Sequence, residues 1–265
     1  MSAIHDLIGK LIAETRARHP DRPALIGVGG AQGSGKSYQS RTYAAAHAGV
    51  AHFSLDDVYL TKAEREARAK HFNNTLFATR GPPGTHDVAL LLGVIARLGR
   101  SAATPIPRFN KAQDDRAPEH SWPQFEGPAL ATLVDGWCMG AMPPRDWQNF
   151  IDAPAAPINI VEAEDQSGVW RTSINAALQN YQSLFAAFDS IIYLQAPSWE
   201  IVRVWRGEQE EETLGRPLTA EENAALDRFV MHYERVTRDM LAGHLGARWI
   251  VRLDKKRSVL RVEER

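Results

Sequence analysis

The spacing of apolar positions changes several times along the chain, and each change marks an element. Near the N-terminus Ile4, Leu7, Ile8, Leu11 and Ile12 recur at helical spacing between Asp6, Lys10 and Glu14, which predicts an amphipathic helix ended by HPDRP at 19–23. The apolar run ALIGV that follows is a buried strand. GVAHFSL at 49–55, PALATLVDGW at 128–137, SIIYLQA at 190–196 and RWIVRLD at 248–254 read as further strands. Helical stretches lie between them: after residue 36, over 62–71, through DVALLLGVIARLGR, through VWRTSINAALQNYQSLFAAF, and from PSWEIVRVWRGEQEEE. Thr61 with Glu64 and Thr219 with Glu222 form T-x-x-E capping boxes, the first opening the 62–71 helix and the second a helix to about Leu245. Residues 72–87, 105–127 and 138–167 carry no period. The first two are dense in turn formers and charge; the third reads as an insertion.

Composition narrows this to one α/β domain with irregular excursions at about 60–127, 138–167 and 203–218. With 44% hydrophobic residues over 265 positions the chain can bury a large core. Its 31 basic against 32 acidic side chains leave a net charge of -1, so no basic field of the kind nucleic acid requires is present. The N-terminal helix is interrupted by charge and does not read as a signal peptide, and no apolar run is long enough to span a bilayer. One cysteine, Cys138, excludes an internal disulfide and suits a reducing cytoplasm.

The candidate chemistry centres on residues 24–41, ALIGVGGAQGSGKSYQSR. Gly30, Gly35, Lys36 and Ser37 fit G-x-x-x-x-G-K-[ST] between a strand and a helix, the setting that gives the motif its meaning. Glycines let backbone N–H groups close around phosphate oxygens, the helix N-terminus adds its dipole, Lys36 supplies a point charge and the Ser37 hydroxyl suits Mg²⁺. The nucleotide-binding stretch is thus Gly30, Ala31, Gln32, Gly33, Ser34, Gly35, Lys36, Ser37 and Tyr38, and it predicts ATP or GTP. Asp56 and Asp57 end the 49–55 strand, where an acid is placed to face the γ-phosphate. Asp135 ends the 128–137 strand and is the candidate second Mg²⁺ residue beside Ser37.

Cations dominate the remaining candidates. Arg80 and His86 lie in the irregular FNNTLFATRGPPGTHD, and Arg108, Lys111 and Arg116 lie close enough together to converge on an anion. Spacing alone leaves substrate-binding and solvated-surface readings open for these residues. Thr85 or Asp87 suits the cap of the next helix, and Thr85 is read as that cap. Arg203 and Arg206 precede GEQEEETLGRP, which reads as flexible and suits a closing lid, Arg203 also suiting a pair with its own helix's glutamates.

Taken together, GAQGSGKS, SLDDVYLT, RGPPGTHD, IPRFNKAQDDR, the strand ending VDGW and QAPSWEIVRVWR resemble the D-glycerate 3-kinase family of phosphate-loop kinases. The resemblance runs from about Leu25 to Asp254, and extends more distantly to uridine kinase, phosphoribulokinase and pantothenate kinase. It implies a P-loop NTPase-type parallel sheet flanked by helices on both faces, and transfer of the ATP γ-phosphate to a small-molecule hydroxyl, D-glycerate giving 3-phosphoglycerate. It also implies that Asp56 accepts the proton of the attacking hydroxyl, that Arg206 is the lid cation, and that Asp57, Tyr59, Arg80, His86, Arg108, Lys111 and Arg116 line the acceptor pocket. Relatives usually carry glutamate where this chain has Asp135. A kinase for a nucleoside, sugar phosphate or pantothenate-like alcohol shares every catalytic part. A nucleotide-switch GTPase would need an N-K-x-D guanine reader, and Asn110-Lys111-Ala112-Gln113 lacks its acid and precedes the Asp135 strand.

Overall fold

The computed structural model describes residues 2–145 and 154–265. The chain opens with α1 (Ala3–Arg18), β1 (Ala24–Gly30), α2 (Lys36–Ala46), β2 (Val50–Ser54), α3 (Lys62–His71) and α4 (Val88–Leu98). Four short strands follow, β3 (Ala103–Pro105), β4 (Phe109–Asn110), β5 (Asp115–Arg116) and β6 (Gln124–Glu126), before β7 (Ala131–Gly136). The rest is α5 (Ile160–Glu164), α6 (Val169–Phe185), β8 (Ser190–Gln195), α7 (Trp199–Leu214), α8 (Ala220–Met231), α9 (Glu234–Leu241), β9 (Trp249–Leu253) and β10 (Val259–Glu264).

The main sheet has the order β10-β9-β8-β1-β7-β2, and every neighbouring pair is parallel except β9 with β10. The expected parallel sheet is therefore present, with an antiparallel edge. Because β1, β7 and β8 are buried on both faces, they read as near-continuous apolar runs. One face packs Phe53, Leu91, Leu178 and Tyr193, and the other packs Ile8, Val28, Leu133 and Trp205. Register matters for function: Val28 lies beside Asp135 and Ser54 beside Asp135, so the phosphate loop, Asp135 and the end of β2 leave one edge of the sheet together.

The helix at 62–71 and both capping boxes are present as expected. Four expectations change. Residues 207–214, read both as part of the helix from PSWEIVRVWRGEQEEE and as the start of a flexible stretch, are the second half of α7, closed by Gly215 in the left-handed region. The helix expected to reach Leu245 breaks at His232–Tyr233 into α8 and α9, and the break lets Tyr233 donate its hydroxyl to the Arg80 carbonyl at 2.9 Å. Asp87, not Thr85, caps α4, accepting from the Leu90 N–H, while the Thr85 hydroxyl closes the preceding turn between Gly81 N–H and Pro82 O. The stretch 105–127 is ordered by two small sheets, β3 with β6 and β4 with β5. Of the stretch 138–167 expected to be an insertion, residues 146–153 lie outside the described part; the remainder includes α5.

Candidate active site

The phosphate loop leaves β1 at Gly30 and enters α2 at Lys36. Gly33 has φ 75°, and a Cβ there would lie 2.5 Å from the Trp205 Cβ of α7, so close approach of two backbones requires glycine. Arg257, in the β9–β10 turn, donates Nε–H to the Gly33 carbonyl at 2.6 Å and stacks on the Trp205 ring at 5.0 Å. The loop is thus braced from behind.

Several of its polar groups have no protein partner among the described residues. The side-chain amide of Gln32 and the Ser34 hydroxyl are shielded from solvent and unpaired, an unfavourable state for polar atoms unless a ligand meets them. Lys36 makes no side-chain hydrogen bond or ion pair among the described residues. Burial lowers its pKa, Asp135 and Asp56 oppose that, and the positive charges of Lys111 and Arg206 add to the lowering. An ammonium in that field fits an anion such as a polyphosphate, and the same field brings Asp56, Asp135, Lys111 and Arg206 into one neighbourhood.

Asp135 is fully buried at the end of β7 and accepts three hydrogen bonds. Ser37 Oγ donates to Oδ2 at 2.6 Å, Ser54 Oγ to the same oxygen at 3.2 Å, and His52 Nε2 to Oδ1 at 2.7 Å. A buried carboxylate beside the loop hydroxyl is the donor set a hard divalent cation uses, directly or through water.

Asp56 and Asp57 lie in the turn that follows β2 and differ in role. Asp57 Oδ2 accepts from the Ser54 N–H at 2.9 Å, a helix-capping bond, and meets Arg108 at 3.4 Å. Burial raises its pKa despite Arg108. Asp56 instead accepts from Tyr59 Oη at 2.7 Å and from Lys111 Nζ at 3.0 Å. Burial alone would raise its pKa, but Lys111, Lys36 and the two hydrogen bonds outweigh it and hold the carboxyl well below the usual carboxylate range.

A series of alternating guanidinium and phenyl groups borders this acid. Arg65 and Arg80 face the Phe109 ring at 5.9 and 5.6 Å, and Arg80 and Arg206 face Phe229 at 5.9 and 6.0 Å. Each contact is worth roughly 0.5–2 kcal/mol according to its desolvation. Asp114 pairs with both Arg65 and Arg80, and Glu210 pairs with Arg206 within α7. Arg203 turns to Asp227 and Asn223 of α8, so it is Arg206 and not Arg203 that pairs with a glutamate of its own helix.

His86 stacks on Tyr59 with centroids 4.7 Å apart. Its Nδ1 lies 2.8 Å from Tyr181 Oη, which already accepts the Gly84 N–H at 2.8 Å. The other ring nitrogen, Nε2, is shielded from solvent and has no hydrogen-bond partner among the described residues. Burial pushes its pKa down to about 4, so the ring is neutral at pH 7.

Of the residues singled out in the sequence, Lys36, Ser37, Asp56, Asp57, Tyr59, Arg80, Arg108, Lys111, Asp135, Arg206 and His86 are linked by these contacts and fields. Tyr38 projects into solvent on α2, 60% exposed. Arg116 braces Asp87 and Glu64, the capping carboxylates of α4 and α3. His52, Phe109, Asp114, Tyr181, Phe229 and Arg257 were not singled out. For His52 a signal exists: it is the polar member at alternating spacing with Ser54 in an otherwise apolar strand.

No family model matches the chain. It is 32% identical over 252 residues, 88% of this chain and 87% of the other, to a Schizosaccharomyces pombe protein named "Uncharacterized kinase mug58". The chain belongs to the D-glycerate 3-kinase family of phosphate-loop kinases. The Arabidopsis thaliana protein "D-glycerate 3-kinase, chloroplastic" is 29% identical over 210 residues, 71% of this chain and 41% of that longer one. The solved D-glycerate 3-kinase from Cryptococcus neoformans var. grubii superposes over the whole of both chains with a TM-score of 0.79 at 22% identity, a likeness of fold. As a member of this family the chain is an ATP-dependent phosphotransferase acting on a small molecule.

Proposed function

We propose that the chain phosphorylates D-glycerate, giving 3-phosphoglycerate and ADP. The observation that carries this reading is the setting of Asp56: a partly exposed carboxylate in the field of Lys36 and bonded to Lys111, with Arg108 on the adjacent Asp57 and the unpartnered Nε2 of His86 in its neighbourhood. Those donors suit a small hydroxy acid, whose carboxylate requires cations and whose hydroxyls require neutral donors and acceptors. The names borne by the Arabidopsis and Cryptococcus relatives support the same substrate.

In this reading the loop amides and Lys36 bind the β and γ phosphates, and Ser37 and Asp135 hold Mg²⁺, whose charge offsets that of the transferring group. Arg80 and Arg108 bind the acceptor carboxylate and Arg206 approaches the γ-phosphate from α7. Lys111 shifts from Asp56 toward the acceptor, leaving Oδ2 to orient the attacking hydroxyl. Since Asp56 is a weak base, proton removal comes late, as a loose phosphoryl-transfer transition state permits. The reducing cytoplasm is the matching site of action, supported by the single, buried, free Cys138.

An ADP-release screen over D-glycerate, uridine, pantothenate and a sugar phosphate tests the proposal. Turnover that depends on D-glycerate is expected; turnover with uridine or pantothenate and none with glycerate overturns it.

A further inference from the structure

We infer that His52 is a positioning residue for the Mg²⁺-side carboxylate Asp135, an inference that rests on the Mg²⁺ role just proposed for Asp135. The sheet register brings the two together. Ser54 lies directly beside Asp135 across the parallel β2–β7 ladder, and His52 lies beside Leu133, so His52 and Ser54 share one face of β2 while Ala51 and Phe53 are buried on the other. From that diagonal position His52 Nε2 reaches Asp135 Oδ1 at 2.7 Å. The carboxylate can only accept, so the imidazole proton sits on Nε2.

The two carboxylate oxygens are thereby divided. Oδ1 is held by His52, and Oδ2 faces the phosphate loop, where Ser37 lies 2.6 Å away. A carboxylate on so short a side chain has two torsions to fix. Ser54 Oγ, at 3.2 Å from both the Asp135 carbonyl and Oδ2, does not hold Oδ1. His52 is the only described residue that does. Without it a fully buried oxygen loses its donor, and the carboxylate turns to recover one from Ser37 or Ser54, taking Oδ2 away from the metal side. Outer partners of ligating carboxylates commonly set metal affinity by roughly 10- to 100-fold. His52 thus acts on metal retention, leaving the nucleotide phosphates to Lys36 and the loop.

Two substitutions separate the hydrogen bond from the packing. His52→Phe keeps a ring of similar shape and removes the donor, whereas His52→Gln removes the ring and places an amide N–H near the Nε2 position. The full-length protein is titrated with Mn²⁺ in the presence of saturating ADP, free Mn²⁺ being read by its electron paramagnetic resonance signal, with Asp135→Asn alongside. Metal-free ADP affinity is measured by calorimetry, and folding by circular dichroism. We expect Mn²⁺ affinity to fall about tenfold or more in His52→Phe, to recover to within about threefold of wild type in His52→Gln, and metal-free ADP affinity to stay unchanged. Undiminished Mn²⁺ affinity in a folded His52→Phe, or equal loss in His52→Gln and His52→Phe, overturns the inference. If His52→Phe does not fold, His52→Ala takes its place under the same criteria. Undiminished Mn²⁺ affinity in Asp135→Asn overturns instead the metal role of Asp135, a distinguishable outcome.

Discussion

The Tyr59 hydroxyl donates to Asp56 Oδ1 at 2.7 Å, and this bond decides which carboxylate oxygen remains for chemistry. Tyr59 is itself fixed by stacking on His86 and by the edge of Phe109, ring centroids 4.7 and 5.1 Å away. Oδ1 thus has a fixed neutral donor, and Oδ2, whose one donor among the described residues is the exposed Lys111, is the oxygen an incoming hydroxyl can reach when that lysine turns away.

Asp56→Asn is expected to lower kcat by roughly 10²–10⁴-fold, the usual worth of a positioned acid–base group, with little change in ATP affinity. Steady-state kinetics at saturating Mg-ATP check this. A large loss of Mg-ATP binding would move Asp56 to the metal.

Lys36→Ala removes the one cation within the phosphate loop. The expected outcome is a fall in kcat on the order of 10²–10³-fold in a protein whose circular dichroism shows the fold retained, since among the described residues the ammonium makes no hydrogen bond or ion pair. Near-normal turnover would count against the loop assignment.

Arg80→Gln separates binding from transfer. A charge-assisted hydrogen bond to a carboxylate is worth about 1.5–3 kcal/mol, so KM for the acceptor acid should rise roughly 10- to 100-fold while kcat changes much less. The reverse split, kcat falling at unchanged KM, would place Arg80 on the transferring phosphate.

His86 gives a pH signature. Burial lowers its folded-state pKa to about 4, against roughly 6.5 when unfolded. Between those values the unfolded chain binds a proton that the folded one refuses. Stability is therefore full above pH 6.5 and declines as pH falls, by up to about 3 kcal/mol at pH 4. Asp56, held low when folded, weakens the protein only below the ordinary carboxylate range, whereas His232, whose pKa burial also lowers, acts in the same window, so the comparison with His86→Gln isolates His86. Tm of wild type should fall between pH 7.5 and 5 more steeply than that of His86→Gln; parallel slopes would show that His86 is not the group responsible.

What the sequence disclosed and what it did not divide along physical lines. The phosphate loop is legible because its chemistry is local: Gly30 to Ser37 are consecutive, and the strand and helix on either side are announced by periodicity. Asp135 and Asp56 are legible because acids at the ends of apolar strands have few structural uses. His52 has a weak local signal in its alternation with Ser54, but its partner is a carboxylate 83 residues away, and Arg257 braces a glycine 224 residues away, so neither pairing is visible in the local sequence. The shared rings of Phe109 and Phe229 look in sequence like ordinary core aromatics. The edge strand β10 escaped because Arg261, Glu263 and Glu264 mask its alternation, as edge strands that resist aggregation tend to do. Arg116 shows the converse, a cation well placed in sequence that the fold commits to holding helix ends.

The contact of Gly33 with Trp205, clamped from above by Arg257, gives α7 a fulcrum. Trp205 immediately precedes Arg206, and its indole is tied to the Lys255 carbonyl at 2.9 Å, so the lever arm between pivot and working cation is a single residue. With that anchor beside Arg206 and far from Leu214, α7 fixes the guanidinium relative to the phosphate loop more firmly than it fixes its own C-terminal turn.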